Sequence, residues 1–309
     1  MTITTLIQLA LASLVSSGAI YLAVTRIIHM GIRRQQIPRF WTGLLLGIVS
    51  ALPSMLMVLL VVSGFNSSFQ VSWTFSTLAY DILFLIPMLG MFRPFHYSNS
   101  AARLEIPLLF AIYVVFILFC VDNRTWRLKQ ILPLGIIFLM FCYDFWRMLE
   151  LGDYQIKTED KESRGANLLF VVFATAAYAL ADVVLIINGG NFLEISAESF
   201  YQIVLQLAVS AFICLPSFVA LMTWLRYDAP AELFVSGTII SDILLSTLVL
   251  PLAALYIPVS HLSNYLNFII FTLVGLGMIW IQVTKMRHSS RNFSVISLIF
   301  FLIMLYSQS

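Results

Sequence analysis

Ser50-Ala51-Leu52-Pro53-Ser54 sits inside one long apolar stretch and Ile213-Cys214-Leu215-Pro216-Ser217 inside another, so that Leu-Pro-Ser recurs after 163 positions. The match continues downstream at an offset of 164: Ile82–Met88 (ILFLIPM) falls on Ser246–Leu252 (STLVLPL), Pro87 on Pro251, and Arg127 on Arg291. Two similar halves of several membrane helices are the signature of a secondary transporter, whose substrate site lies between the halves near mid-bilayer.

Composition bounds the class. With 61% hydrophobic and 10% charged residues and a mean hydropathy of +0.96, the chain reads as an integral, multi-pass membrane protein whose surroundings are the lipid bilayer. The net charge of +2 is dispersed over short loops, which implies no nucleic-acid partner. Cys120, Cys142 and Cys214 lie in apolar stretches without metal spacing. His29, His96, His261 and His288 fall in or near loops and receive no ligand role. No residue pattern specifies an oligomeric state, because no GxxxG pair stands out on a lipid-facing stripe.

Ten apolar segments follow one another, at about 5–26, 41–64, 71–92, 106–122, 130–147, 166–188, 200–225, 233–257, 265–284 and 292–307. A helix needs ~20 such residues to cross the hydrocarbon core, so the fifth and tenth are marginal. The first segment has no charge before Arg26 and reads as a retained helix instead of a signal peptide. With the N-terminus outside, the inner loops collect fourteen Lys and Arg, including Arg33, Arg34, Arg93, Arg147 and Lys161, against Arg124, Arg127 and Lys129 outside. The positive-inside rule therefore places both termini outside and the linker in the cytoplasm. The expected domains are a first five-helix repeat (1–149), a cytoplasmic linker (150–165) and a second repeat (166–309). Five helices per half is an odd number, so the second repeat is inverted relative to the first. A plasma or inner membrane is the default location.

The pattern resembles the cation/calcium exchanger superfamily, which includes the sodium/calcium exchangers. It is carried by the apolar-small-Leu-Pro-x in helices 2 and 7, the hydroxyl-rich stretches of helices 3 and 8, and the Leu14-Val15-Ser16-Ser17-Gly18-Ala19 start. The resemblance implies an all-α fold of ten transmembrane helices in two inverted-topology five-helix repeats, with helices 1 and 6 sliding against a core. The departures from it are specific. Where the family has Thr-Ser-Leu-Pro-Glu, both glutamates are replaced, by Ser54 and Ser217. Ser76-Thr77-Leu78-Ala79-Tyr80-Asp81 keeps an acid at the family's final helix 3 position. Ile240-Ser241-Asp242-Ile243-Leu244-Leu245 ends apolar and carries Asp242 one turn earlier.

The residues taken by themselves also point to a polar centre. Pro53 and Pro216 each free the carbonyl four residues back, Val49 and Phe212, and those oxygens can face an ion. Asp81 lies mid-span, where an acid costs at least ~2.5–3.5 kcal/mol, so it faces protein or water, as an ion ligand or as a hydrogen-bond partner of a neighbouring helix. Asp242 has the same two readings, among Ser236, Thr238, Ser241, Ser246 and Thr247. Serines in membrane helices also serve close packing, which is the plain reading of Ser54 and Ser217 taken singly. Asp144, Asp182 and Asp228 lie toward helix ends, where an acid can reach water. Asn66-Ser67-Ser68 and Asn123-Arg124-Thr125 match the glycosylation triplet on outer loops.

The expected metal-site residues are Asp81 and Asp242 for charge, with Ser50, Ser54, Thr77, Ser217 and Ser241 for oxygens. Calcium wants six to eight oxygens with carboxylates among them, so a site with two acids suits Na+ or H+ better than Ca2+. No His-Glu-x-x-His, Gly-x-Ser-x-Gly or phosphate-binding glycine loop occurs, and no enzyme, resident cofactor or ATP-driven pump is expected. The partners are small cations, moved by antiport with alternating access. The alternative is a degenerate, non-transporting scaffold or sensor of the same fold.

Overall fold

A computed structural model describes residues 3–35, 37–62, 67–97, 104–122, 128–151, 161–193, 200–252, 265–286 and 289–306. Asn66, residues 123–125, His261, His288 and residues 152–160 of the linker lie outside the described residues. The described residues form no strand ladder. The helices are α1 (Ile3–Ile28), α2 (Arg39–Val62), α3 (Ser67–Tyr80), α4 (Ile86–Phe92), α5 (Ile106–Asp122), α6 (Leu128–Leu151), α7 (Lys161–Leu193), α8 (Phe200–Arg226), α9 (Ala231–Leu244), α10 (Leu266–Ile281) and α11 (Arg291–Tyr306). A π turn, Asp81–Leu85, joins α3 to α4 without a break, so ten continuous helical stretches coincide with the ten apolar segments. Seven of them are long and apolar enough to cross a membrane, and the apolar cores Ile106–Cys120, Ile131–Tyr143 and Arg291–Met304 are shorter.

Apolar residues all round a helix, with large ones left outside, mark a protein whose solvent is lipid. On α7 the buried positions recur every three or four residues, among them Val171, Ala174, Tyr178, Asp182 and Ile186, while Leu169, Phe173 and Leu180 stay more than half exposed. The same holds for Leu132, Leu139, Tyr143 and Trp146 of α6.

Two of the departures from α geometry stand directly before prolines. A proline cannot donate to the carbonyl four residues back and its ring pushes that carbonyl away. Pro87 is preceded by the π turn Asp81–Leu85, in which Ile86 N–H reaches Asp81 O. Pro251 is preceded by the π turn Leu245–Val249, in which Leu250 N–H reaches Leu245 O. These two distortions stand at the same 164-residue offset as the sequence match. The repeated sequence thus carries a repeated backbone device, of a kind often found at functional positions.

The chain divides into two compact units, each drawing on both halves of the sequence: residues 1–42 with 156–229, and residues 43–155 with 230–309. In the first, α1 packs on α7 and α8. Ser13 Oγ donates to Phe212 O at 2.8 Å and Ser16 Oγ to Asp182 Oδ1 at 3.1 Å. Arg26 donates to Asn167 Oδ1 at 3.2 Å and lies over the Phe170 ring.

In the second unit α9 is the innermost element: 89% of the Ala231–Leu252 span is buried, against 61% for Trp73–Phe92. Glycines allow this. A Cβ on Gly47 would meet Gly237 O at 2.8 Å and the Ile240 side chain at 2.8 Å, and one on Gly237 would meet Gly43 O at 3.0 Å. Backbone therefore lies against backbone where α2 crosses α9. Elsewhere in this unit Ser289 N–H donates to Phe95 O at 2.8 Å and Phe95 N–H to Ser289 Oγ at 2.9 Å, tying two helix connections together.

Because the atoms facing Gly47 include a main-chain oxygen that cannot swing away, Gly47→Ala is expected to lower stability by about 1–3 kcal/mol. Gly135→Ala, which meets nothing within 4 Å, should show no loss; thermal melting of the two variants side by side checks the difference.

Candidate functional site: a buried carboxyl pair

The second unit brings Asp81 and Asp242 together. Asp81 opens the π turn after α3, and Asp242 sits on α9 one turn before the matching π turn. Both are buried, Asp242 completely. Their carboxyl groups lie within hydrogen-bonding reach of each other, and among the described residues no cationic side chain acts on either. Neither oxygen of Asp242 has a hydrogen-bond donor among the described residues. Two carboxyl groups in contact need a proton shared between them or a cation between them, since two bare charges in a poorly hydrated interior repel by several kcal/mol.

Neutral oxygens are carried by the same helices and by α5 and α10 of this unit. Tyr113 of α5 is buried beside Thr272 of α10 and stands within electrostatic range of Asp242 and Asp81. Its ring is fixed edge-on to Phe116 at 5.8 Å, and Phe116 is edge-on to Phe75 of α3 at 5.4 Å. Ser241, beside Asp242 in the chain, and Ser246, four residues beyond it, are buried, and Ser246 Oγ has no hydrogen-bond partner among the described residues. The threonine hydroxyls spend their protons on their own helices: Thr77 on Trp73 O at 3.0 Å, Thr238 on Phe234 O at 3.0 Å, Thr247 on Ile243 O at 2.6 Å and Thr272 on Phe268 O at 2.6 Å. What remains free on those oxygens is their lone pairs, the form in which a hydroxyl receives a cation.

Of the other expected ligands, Ser54 is buried and Ser50 half-buried, both on α2 in the same unit. Ser217 is half-buried on α8 and belongs to the first unit. The carbonyl of Phe212, freed by Pro216 and expected to face an ion, instead accepts the Ser13 hydroxyl. Asp182 also corrects the sequence reading. It does not reach water at a helix end but is buried against Ser16. Asp228, by contrast, is exposed as expected. Sequence reasoning passed over Tyr113, Thr272 and Glu105; the last is buried and accepts Ser236 Oγ at 2.7 Å. A tyrosine within an apolar run and an acid at a helix start were the available signals. Among the described residues no group of three or more His, Cys, Asp or Glu could hold a metal ion.

An amide in place of one acid would remove a charge and give Asp242 the donor it lacks. Asp81→Asn is therefore expected to raise stability at neutral pH by about 1–3 kcal/mol, and to lose that gain when combined with Asp242→Asn; melting curves of the single and double variants measure the coupling.

The fold matches solved structures of the sodium-calcium exchanger NCX_Mj over the whole chain. Against that protein soaked with 2.5 mM Na+ and 10 mM Sr2+ the TM-score is 0.73 at 12% identity, covering 99% of each chain. Against the form soaked with 2.5 mM Na+ and 0.1 mM Ca2+ it is 0.72 at 12% identity, covering 100% of each. Against the form soaked with zero Na+ and Ca2+ it is 0.70 at 13% identity, again covering 100% of each. No family model matches the sequence, and no curated protein matches it. The chain is thus a multi-pass, all-helical protein with the fold of a sodium-calcium exchanger.

Proposed function

We propose that the chain is a secondary active cation transporter of the cation/calcium exchanger superfamily, working by alternating access between two inverted five-helix repeats. All ten helical stretches would cross the membrane, with both termini outside and residues 150–165 in the cytoplasm. The observation that carries the reading is the contact between Asp81 and Asp242, buried without a cationic side chain acting on them among the described residues. A fold similar over its full length to an exchanger supports it.

Asp81 and Asp242 supply the charge, and Ser50, Ser54, Thr77 and Ser241 supply oxygens, joined by Tyr113 and Ser246. Ser217 keeps only the role that the resemblance gives its position. The pair carries at most two negative charges, and one when it shares a proton. A monovalent cation that enters displaces that proton, so Na+ and H+ compete for the same oxygens. Calcium would need six to eight oxygens with more carboxylate among them, and among the described residues no third acid joins the pair. Sodium/proton exchange is therefore the chemistry favoured here.

In proteoliposomes, sodium uptake driven by an outward proton gradient is expected in the natural protein and abolished by Asp81→Asn with Asp242→Asn. Uptake unchanged in that variant contradicts the reading. Sodium should also stabilise the protein, by ~2.7 kcal/mol at 100 times its dissociation constant, and less as the pH falls because protons compete. No saturable shift with Na+, K+ or Ca2+, together with no flux, would favour the non-transporting scaffold to which the two lost glutamates point.

A further inference from the structure

The first unit holds an acid that the carboxyl pair does not use. On α1, Ser13, Ser16 and Ser17 lie at i, i+3 and i+4, all buried. Ser13 engages Phe212 O of α8, and Ser16 engages Asp182 of α7. Ser17 Oγ and, on α7, Thr175 Oγ1 are buried without a hydrogen-bond partner among the described residues. Small residues and hydroxyls alone would signify close packing. A carboxyl among them does not, because a bare charge there is costly and the neutral or cation-bound form is required.

Among the described residues no cationic side chain acts on Asp182. From α1, Arg26 binds Asn167, fifteen residues and so about 22 Å away along α7. Tyr21 faces Tyr227. Among the described residues, Ser16 is the group whose side chain acts on Asp182. Nor does the repeat demand an acid here. At the 164-residue offset Asp182 falls on Gly18, and a Cβ on Gly18 would meet nothing within 4 Å.

We propose that Asp182 is a proton-binding site of the three-helix unit, distinct from the Asp81–Asp242 pair. A metal ion would need a shell of oxygens, and Ser13, the neighbour one turn away, already serves Phe212. A proton needs only one oxygen. It comes from water, forms an O–H bond on Oδ2 while Ser16 goes on donating to Oδ1, and returns to water on release; no other bond changes.

Infrared difference spectra of the full chain in lipid, between acid and alkaline buffer, test the assignment without reference to transport. A protonated-carboxyl band should appear on acidification, vanish in Asp182→Asn, and persist in Asp81→Asn with Asp242→Asn. Asp182→Glu should keep a pH-dependent band, which separates loss of the proton site from loss of the fold. Ser16→Ala should move the band's frequency, because the carboxyl loses its hydrogen bond, and Ser13→Ala should not. Superimposable spectra of the natural protein and Asp182→Asn would overturn the proposal. So would an Asp182 band of constant intensity at every pH, the mark of a fixed hydrogen bond.

Discussion

The contact between the Asp81 and Asp242 carboxyl groups is the constraint on which the second unit depends. At 4 Å, two unit charges repel by about 4 kcal/mol even at an effective dielectric of 20, and among the described residues no Lys, Arg or His acts on either acid. A positive charge from outside the chain must stand there, as a proton or as a cation. The surrounding architecture holds the two acids in that position. The π turn before Pro87 sets Asp81 at a bend of the helix, and the glycine crossing of α2 and α9 keeps Asp242 in the most buried element. The Phe75–Phe116–Tyr113 ring series fixes a hydroxyl-bearing ring beside them.

Much of this was legible in the sequence. Helix positions followed from the apolar runs, because a lipid solvent leaves a helix no other composition. Asp81 and Asp242 stood out because an acid inside such a run is costly. Pro53 and Pro216 indicated broken helices, but α2 and α8 run on as α-helix through both, and the π turns stand instead before the other repeated pair, Pro87 and Pro251. The type of break was not legible, since a displaced carbonyl can be accommodated by a kink, by a wider turn or by a hydroxyl.

What escaped the sequence is pairing over long separations. The Phe212 carbonyl accepts Ser13, 199 positions away, and Asp182 accepts Ser16, 166 positions away. Each partner is an unremarkable serine taken singly. Proline chemistry says that an oxygen is freed, but only the packing of α1 on α8 says which group receives it. Tyr113 was hidden for a similar reason: an aromatic ring in an apolar helix reads as core until its hydroxyl is found near two acids.

Exchange as a function rests on whether the carboxyl pair holds a cation, and heavy monovalent ions make that visible. The most direct measurement is anomalous scattering from crystals of the full chain soaked in thallium(I) at neutral pH. The account predicts one strong peak between the carboxyl groups of Asp81 and Asp242, reduced by added sodium and absent at acid pH. A pair with no thallium density at any pH, in crystals that admit the ion elsewhere, would contradict it.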